Sequence, residues 1–561
     1  MAELVLGPVL RHVDQTSATI WVETDRPCRV TVSGHEADTF TVHGHHYALV
    51  DVTGLSPGST TVYGVDLDGR TVWPVEGASV PPSVIRTLHD GPGTRRLLFG
   101  SCRTSVPHEP AYVLTHGVDM LRAYALQMRR PEAAPWPDSL ALLGDQVYAD
   151  EPPEAVRRFI RERRDVTEPP GHEVLDFEEY AELYRVAWSD PEVRWLMSTV
   201  PVMMIFDDHD LRDDWNTSQT WQDEMRTESW WRRRVTAGIG AYWVYQHAGN
   251  LSPAERAADP MMRLLGPTGD HGDELDRFAW ECDQDPSGYR WSYLRDFGDS
   301  RLIMLDSRCA RTLTPGDRRM IDDAEWEWFV DATRGEFSHL FVGSSLPVLL
   351  PSGVHYVESW NEALSDGVWG RRAARFAEWL RQTIDLEHWS AFRRSFDDMA
   401  ALVTAIIRGE HGTPPANIVF LSGDVHYSYL AHARIRRSRG SVYQVVCSPI
   451  RNPLNMVMRV ANAVAQTVVA GLLGRALALT AGVRKSRFGW RMSRGPWFSN
   501  SMATLEFDGE DTVVHWHTSG KNPNWDDPWL AVMARQELGG RKRPRLRRLR
   551  ERVGRSGAGV S

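Results

Sequence analysis

The chain reads as a layered α/β protein preceded by a small all-β domain, and three observations predict this. Residues 1 to about 90 alternate apolar and polar positions in short runs, the period of half-buried strands. From about residue 95 to 520, strand-like apolar runs alternate with helix-like stretches, the pattern of a layered α/β domain. Within that region four apolar runs, RRLLFGSC, LALLGDQVYAD, VMMIFDDHD and IVFLSGDVH, each stop at residues that bind metals. As strands they deliver Cys102, then Asp145 with Tyr148, then Asp207, Asp208 and His209, then Asp424 with His426, just past their C-terminal ends. In open α/β sheets ligands bind at that edge.

The first domain is carried by SATIWVE, CRVTVSG, HYALVDV and TVYGVDL, separated by Gly, Pro, Asp and Ser turns, and is expected to be a β-sandwich. VPPSVIRTLHDGPGTRR then marks a linker by its Pro and Gly content. Helices are expected in EPPEAVRRFIRERR, ESWWRRRVTAGIGAYWVYQHA, DDAEWEWFVDATR and RRAARFAEWLRQTI, and further strands in RLIMLDS, HLFVGSS and VYQVVCS. MATLEFDGEDTVVHWH has a DGED turn between alternating runs and is expected to close the domain as a hairpin near residue 520. An apolar helical segment is expected at about 455–485. Its Ala-rich part from Ala463 to Val483 is interrupted by Gln466, Thr467 and Arg475, which argues for a packed, partner-facing or interfacial helix rather than a span. Residues 521–561 are expected to be a C-terminal extension ending in the basic, disordered tail RKRPRLRRLRERVGR.

Composition narrows the function. A chain of 561 residues, 42% hydrophobic and 25% charged, is ordinary for two or three globular domains. The formal net charge of −10 argues against a nucleic-acid-binding body, which neutralises phosphates with Lys and Arg. The five cysteines are scattered and odd in number, unlike a disulfide framework. The N-terminal MAELVLGPVLRHVD has no basic region, export core or twin arginine. The cytoplasm is therefore expected, with contact at a membrane periphery through residues 463–483 and the tail as the sharper alternative.

Hard cations prefer oxygen ligands, whereas iron or zinc also accepts imidazole, thiolate or phenolate, so Asp, His, Cys and Tyr together suit a transition metal beside a harder partner. A carboxylate can bridge two ions, and Asp145, three residues before Tyr148, is the candidate bridge. Three carboxylates and an imidazole in DDHD create repulsion that cations or solvent must relieve. Asp424 and His426, two apart, share one side of an extended segment. Arg103 and Arg308 each follow an apolar run and are candidates for anion binding or charge stabilisation in phosphoryl transfer, with surface arginine as the other reading. His515 and His517 share a strand face but have no carboxylate beside them, and are read as structural or surface residues.

The ordered set SCR, GDQVY, DDHD, LDSR, GSSLP, GDVH and CSP resembles the alkaline phosphatase D (PhoD-like) family of the metallophosphatase superfamily. The resemblance covers nearly the whole chain. It implies a four-layer α/β/β/α sandwich behind a fibronectin- or Ig-like β domain. It also implies a multinuclear centre of Fe(3+) with Ca(2+), or another divalent ion such as Mn, Zn or Co. By position, Cys102, Asp145, Tyr148, Asp424 and His426 match the iron-side ligands, with Asp145 bridging. Asp208 stands where the superfamily places a metal-binding Asn or Asp before a histidine, and His209 is that histidine, poised near substrate. Asp207 is grouped with these metal ligands, and Arg103 with His209 and Asp145 as catalytic. The commoner superfamily pattern opens with DxH and closes with GHxH; SC and GDVH in this chain favour the D-type family.

The expected reaction is metal-dependent hydrolysis of phosphate monoesters or diesters by in-line attack of an activated water, on a small phosphoester and with no specific nucleic-acid partner. The alternatives are a phosphodiesterase of lipid or nucleotide diesters and, from another class, a non-catalytic binding protein with a structural metal site.

Overall fold

Apolar residues occupy both faces of the central strands, so each strand has to be covered twice. In the strand Arg95–Gly100, Leu97 and Phe99 enter one core and Leu98 another. The computed structural model, which describes residues 1–91, 93–130, 135–520 and 524–539, resolves this demand with two sheets face to face and helices outside each. One sheet has six strands, ordered Val202–Ile205, Ser139–Leu143, Arg95–Gly100, Met502–Asp508, Asp511–Ser519 and Leu530–Leu538. The first three run parallel and the rest antiparallel. The other has seven, ordered Tyr293–Phe297, Ser300–Met304, His339–Gly343, Asn417–Ser422, Ser441–Val446, Ser428–Arg434 and Gly489–Trp497, with Ser300–Met304 through Ser441–Val446 parallel. Between the sheets lie Phe99, Leu143, Ile205, Met304, Phe341, Leu421 and Trp516. Outside them, Leu142 and Met204 on one sheet and Val342 and Phe420 on the other meet helices. This is the four-layer α/β/β/α arrangement.

The N-terminal domain is all β. A sheet of Leu4–Val13, Ala18–Thr24, His45–Val52 and Phe40–Val42 packs on one of His35–Asp38, Arg29–Val32, Val65–Leu67 and Arg70–Trp73, and Val84–Arg86 pairs with Thr60–Val62. Ile20 and Val22 fill the sandwich, while Trp21 points out between Tyr47, Trp188 and Tyr245. The strand period of two therefore sends alternate residues into the domain's own core and into the core of the next domain.

Two expectations change. Residues 521–561 are not all an extension, because Leu530–Leu538 joins the six-stranded sheet beside Asp511–Ser519. Its sequence LAVMARQEL sits at an edge with most positions open to solvent, which leaves it a weak apolar signal. The basic tail from 541 onward lies outside the described residues. The stretch read as one helix over ESWWRRRVTAGIGAYWVYQHA begins at Trp231 and turns from α to π at Tyr242–His247, a local change often found near functional sites. The expected closing hairpin forms, with Asp508 opposite Asp511.

Candidate active site

The C-terminal ends of three neighbouring parallel strands, Arg95–Gly100, Ser139–Leu143 and Val202–Ile205, deliver Cys102, Asp145 and Asp207 side by side. Asn417–Ser422 of the facing sheet brings Asp424 and His426 to the same place. The strand ends are tied by backbone: the Cys102 N–H donates to the Gly144 carbonyl at 3.2 Å and the Arg103 N–H to the Asp145 carbonyl at 3.1 Å. Asp210 holds two of them together. Its carboxylate accepts the N–H groups of Asp145 (3.0 Å), Gln146 (3.0 Å), Val147 (3.2 Å) and Asp207 (3.0 Å). Burial still lifts its pKa to about 7 against those bonds.

Close approach and backbone strain mark the same positions. Cys102, Asp145, Asp424 and His426 all adopt left-handed φ values, 58°, 53°, 62° and 54°, which non-glycine residues keep only where their surroundings impose them. Gly144 has φ of 100°, and a Cβ there would stand 2.6 Å from that of Asp207; at Gly423 it would stand 1.9 Å from Ser101 Oγ. Both glycines let ligand-bearing loops touch.

Ligand atoms of Cys102, Asp145 and His426 all lie within 4.8 Å of one another, as do those of Asp145, Asp207 and Asp208, and of Asp208, Glu387 and Asp424. Asp145 is common to the first two groups and Asp208 to the last two. Tyr148 donates to Asp145 Oδ2 at 3.3 Å, and its ring lies 4.6 Å from that of His209. Asp145 Oδ1 and Asp207 Oδ2 are buried with no hydrogen-bond partner, an arrangement costly for carboxylates unless a cation meets them. Burial, then Asp145 and Asp424, pushes the Cys102 thiol well up, and burial with the Asp207 charge does the same to Asp145. Burial lowers His426 to about 4, leaving a neutral imidazole. A bound cation reverses the first two shifts and requires the third state, so the residues fit a metal centre.

The acidic cluster is crossed by buried cations of the chain itself, Arg308 at its centre and Arg311, 3.2 Å from Glu387, at its edge. Arg308 is fully buried and pairs with Asp207, with Asp208 at 2.9 Å and with both oxygens of Glu387, and Asp424 lies 3.8 Å away. It therefore neutralises carboxylates within the cluster. Arg103 departs from expectation more fully. Its guanidinium is held by Asp119, at 2.8 and 2.9 Å, and by the Ala187 carbonyl. Asp119 caps the helix Met120–Met128, so Arg103 locks that helix to the strand end and has no free face for substrate. His515 and His517 stack on one strand face away from the ligand groups.

Several site residues carried no motif. His388 donates from one ring nitrogen to Asp424 Oδ2 at 3.0 Å and from the other to Glu358 at 2.7 Å. Burial opposes ionisation of Asp424, but His388 and Arg308 hold it at about 2. Glu387 and His388 come from DLEH, a carboxylate and imidazole pair between two helices that was the only available signal. Asp150 accepts from His209 Nδ1 at 2.8 Å, and Asp213 lies 3.7 Å from Nε2 on the open side. Burial opposes a charge on His209, but Asp150, Asp208 and Asp145 raise its pKa well above the usual imidazole value.

Comparison with known proteins agrees with this geometry. Residues 116–340 match the family model of the PhoD-like phosphatase, and residues 1–85 match a domain of unknown function, DUF7800. The phosphatase match contains Asp145, Tyr148, Asp207, Asp208, His209 and Arg308; Cys102, Asp424 and His426 lie beyond it. No curated protein matches the chain in sequence. The solved structure of PhoD is similar over 95% of this chain and 90% of that one, at 11% identity and a TM-score of 0.59. A purple acid phosphatase from yellow lupin (Lupinus luteus) seeds aligns over 95% of this chain and 74% of its own, at 10% identity and a TM-score of 0.47. Residues 116–340 thus match a PhoD-like phosphatase domain, which supports a phosphoric ester hydrolase, and the chain's fold is like that of PhoD.

Proposed function

We propose that the centre hydrolyses phosphate monoesters and diesters, with Cys102, Asp145, Tyr148, Asp424 and His426 holding an iron ion and Asp145, Asp207 and Asp208 a harder cation such as calcium. The observation that carries this reading is the sharing of Asp145 between two adjacent ligand groups at the meeting of both sheets. Bound cations supply Lewis acidity, neutralising phosphoryl oxygens and lowering the pKa of water. The protein does the rest. Asp150 takes the Nδ1 proton of His209 in a hydrogen bond and fixes the ring against Tyr148. The Nε2–H is thereby left toward the partly exposed mouth, where it protonates the leaving oxygen as a general acid. Asp210 fixes the loops by their amides, so the carboxylates stay aligned without reorganisation during the reaction.

The test is hydrolysis of a chromogenic phosphomonoester and a diester by purified protein with and without chelator. Asp145→Ala and Asp208→Ala should each lower kcat/KM by about 100-fold or more, the usual scale for loss of a group that organises transition-state charge. Wild-type rates in both variants would overturn the assignment. A phenolate from Tyr148 and a thiolate from Cys102 on ferric iron should also give a visible charge-transfer band, weakened in Tyr148→Phe. Active, colourless protein containing only zinc or manganese would refute the iron and leave the hydrolase standing.

A further inference from the structure

The helices Met456–Ala465 and Val468–Thr480 are built with their large side chains outward. The second packs on the helix Ser352–Ser365 through small residues, and Gly474 and Ala478 are its only buried positions. The fit is close, since a Cβ on Gly353 would come within 2.6 Å of the Ala465 carbonyl, and one on Gly474 within 3.0 Å of the Gly353 carbonyl. The first helix buries no residue at all. Val457, Val468 and Leu473 are 77%, 79% and 66% exposed, and Met456, Val460, Val464, Val469, Leu472 and Leu479 are exposed with them. Beside this face stand exposed Trp369, whose indole donates to the Thr480 carbonyl, and the exposed pair Phe376 and Trp379. A contiguous apolar surface of this kind marks an interaction site.

Charge identifies the occupant. Between Val425 and Leu505 the chain has twelve Arg and Lys and no Asp or Glu, although the whole chain carries −10. Arg475, Arg484, Lys485 and Arg487 are exposed on and just after the second helix, and Arg372 and Arg375 are exposed next to Trp369 and Phe376. A second copy docked symmetrically through this face would set like charge against like. An anionic bilayer supplies the opposite sign, takes valine and leucine into its acyl boundary, and seats tryptophan at headgroup level. The two helices meet at 73°, and no single helix among the described residues is long and apolar enough to cross a membrane. The second helix is packed along the helix Ser352–Ser365, which holds the bent pair on the face of the domain as a surface-docking element.

We propose that this helical pair docks the protein on anionic phospholipid bilayers. The first helix starts five residues after Arg451, whose N–H donates to the Cys102 carbonyl at 3.1 Å, so the helical pair leads off from the edge of the active site. The proposal stands independently of the reaction assigned above. Full-length protein should sediment with phosphatidylcholine vesicles that contain phosphatidylglycerol, bind pure phosphatidylcholine vesicles far less, and be released by salt. Leu472→Glu combined with Leu473→Glu, both at exposed positions, should weaken binding by about tenfold or more while leaving hydrolysis of a soluble ester and the near-UV circular dichroism unchanged. The variant keeps the basic tail, so undiminished binding would assign the membrane contact to the tail and overturn the proposal. Absence of wild-type binding to anionic vesicles would overturn it, as would a wild-type dimer in light scattering that the variant abolishes.

Discussion

Arg308 decides how the acidic cluster survives burial. Its guanidinium is fully buried, and around it stand Asp207, Asp208 and Glu387, none of them more than slightly exposed. Burial opposes even this arginine's charge, yet the three carboxylates hold its pKa well above the usual value. A buried pair gains little over an apolar replacement of both partners, but deleting one partner leaves an uncompensated charge. Arg308→Met should therefore lower unfolding stability by about 3–5 kcal/mol, measured by urea titration of chelator-treated protein, with much of the loss recovered on adding divalent cations. A loss within the range of a surface pair, under about 1 kcal/mol, would contradict that role. The sequence announced Arg308 as a residue past an apolar run but could not tell a substrate-facing arginine from one closed in by carboxylates. The same limit applied to Arg103, whose partners Asp119 and Ala187 are 16 and 84 residues away in the chain.

At the scale of elements, the β-sandwich is joined to the phosphatase domain by packing and by a titratable bridge. His45, on the strand His45–Val52, binds Glu23 of its own sheet at 3.0 Å and Glu178 of the helix Phe177–Trp188 at 2.9 Å. Burial opposes its charge, but the two carboxylates raise its pKa to about 9. A histidine whose folded pKa is raised contributes stability in full below the unfolded value near 6.5, and that contribution is lost as pH rises through about 9. Wild-type protein should lose of order 1 kcal/mol between pH 7 and 9.5 relative to His45→Gln, read from denaturation midpoints at each pH. Parallel pH profiles for the two proteins would count against the bridge. Burial also raises the Glu23 carboxyl, a shift whose pH dependence has the same sign, and the His45→Gln reference retains Glu23.

On the scale of the whole molecule, the two domains share one core. Leu6, Val9, Trp21, Phe40 and Tyr47 of the sandwich lie in the same apolar cluster as Tyr184, Trp188, Met204 and Tyr245. Arg11, buried at 2% exposure, donates to the Gln246 carbonyl and to Asn250 Oδ1. Gln246 in turn donates to Asp210, the clamp of the ligand loops, at 3.3 Å. A chain beginning at Thr87 should therefore aggregate or bind an apolar dye strongly, because it exposes the aromatic face that Trp21 and Tyr47 cover. A monomeric, fully active chain from Thr87 would show instead that the cores are independent.

Sequence by itself determined the alternation of strands and helices, the all-β start, and the four strand ends at which Cys102, Asp145, Asp207 and Asp424 appear. These are legible because they depend on residue type and local period, which neighbours in the chain share. Tertiary structure alone decided which side chains meet. It brought Glu387 and His388 to Asp424, closed Asp207 and Asp208 around Arg308, turned Arg103 to Asp119, and added Leu530–Leu538 to a sheet begun more than 400 residues earlier. Contacts of that separation depend on how two sheets and their helices stack, and no local period encodes a partner supplied by another layer.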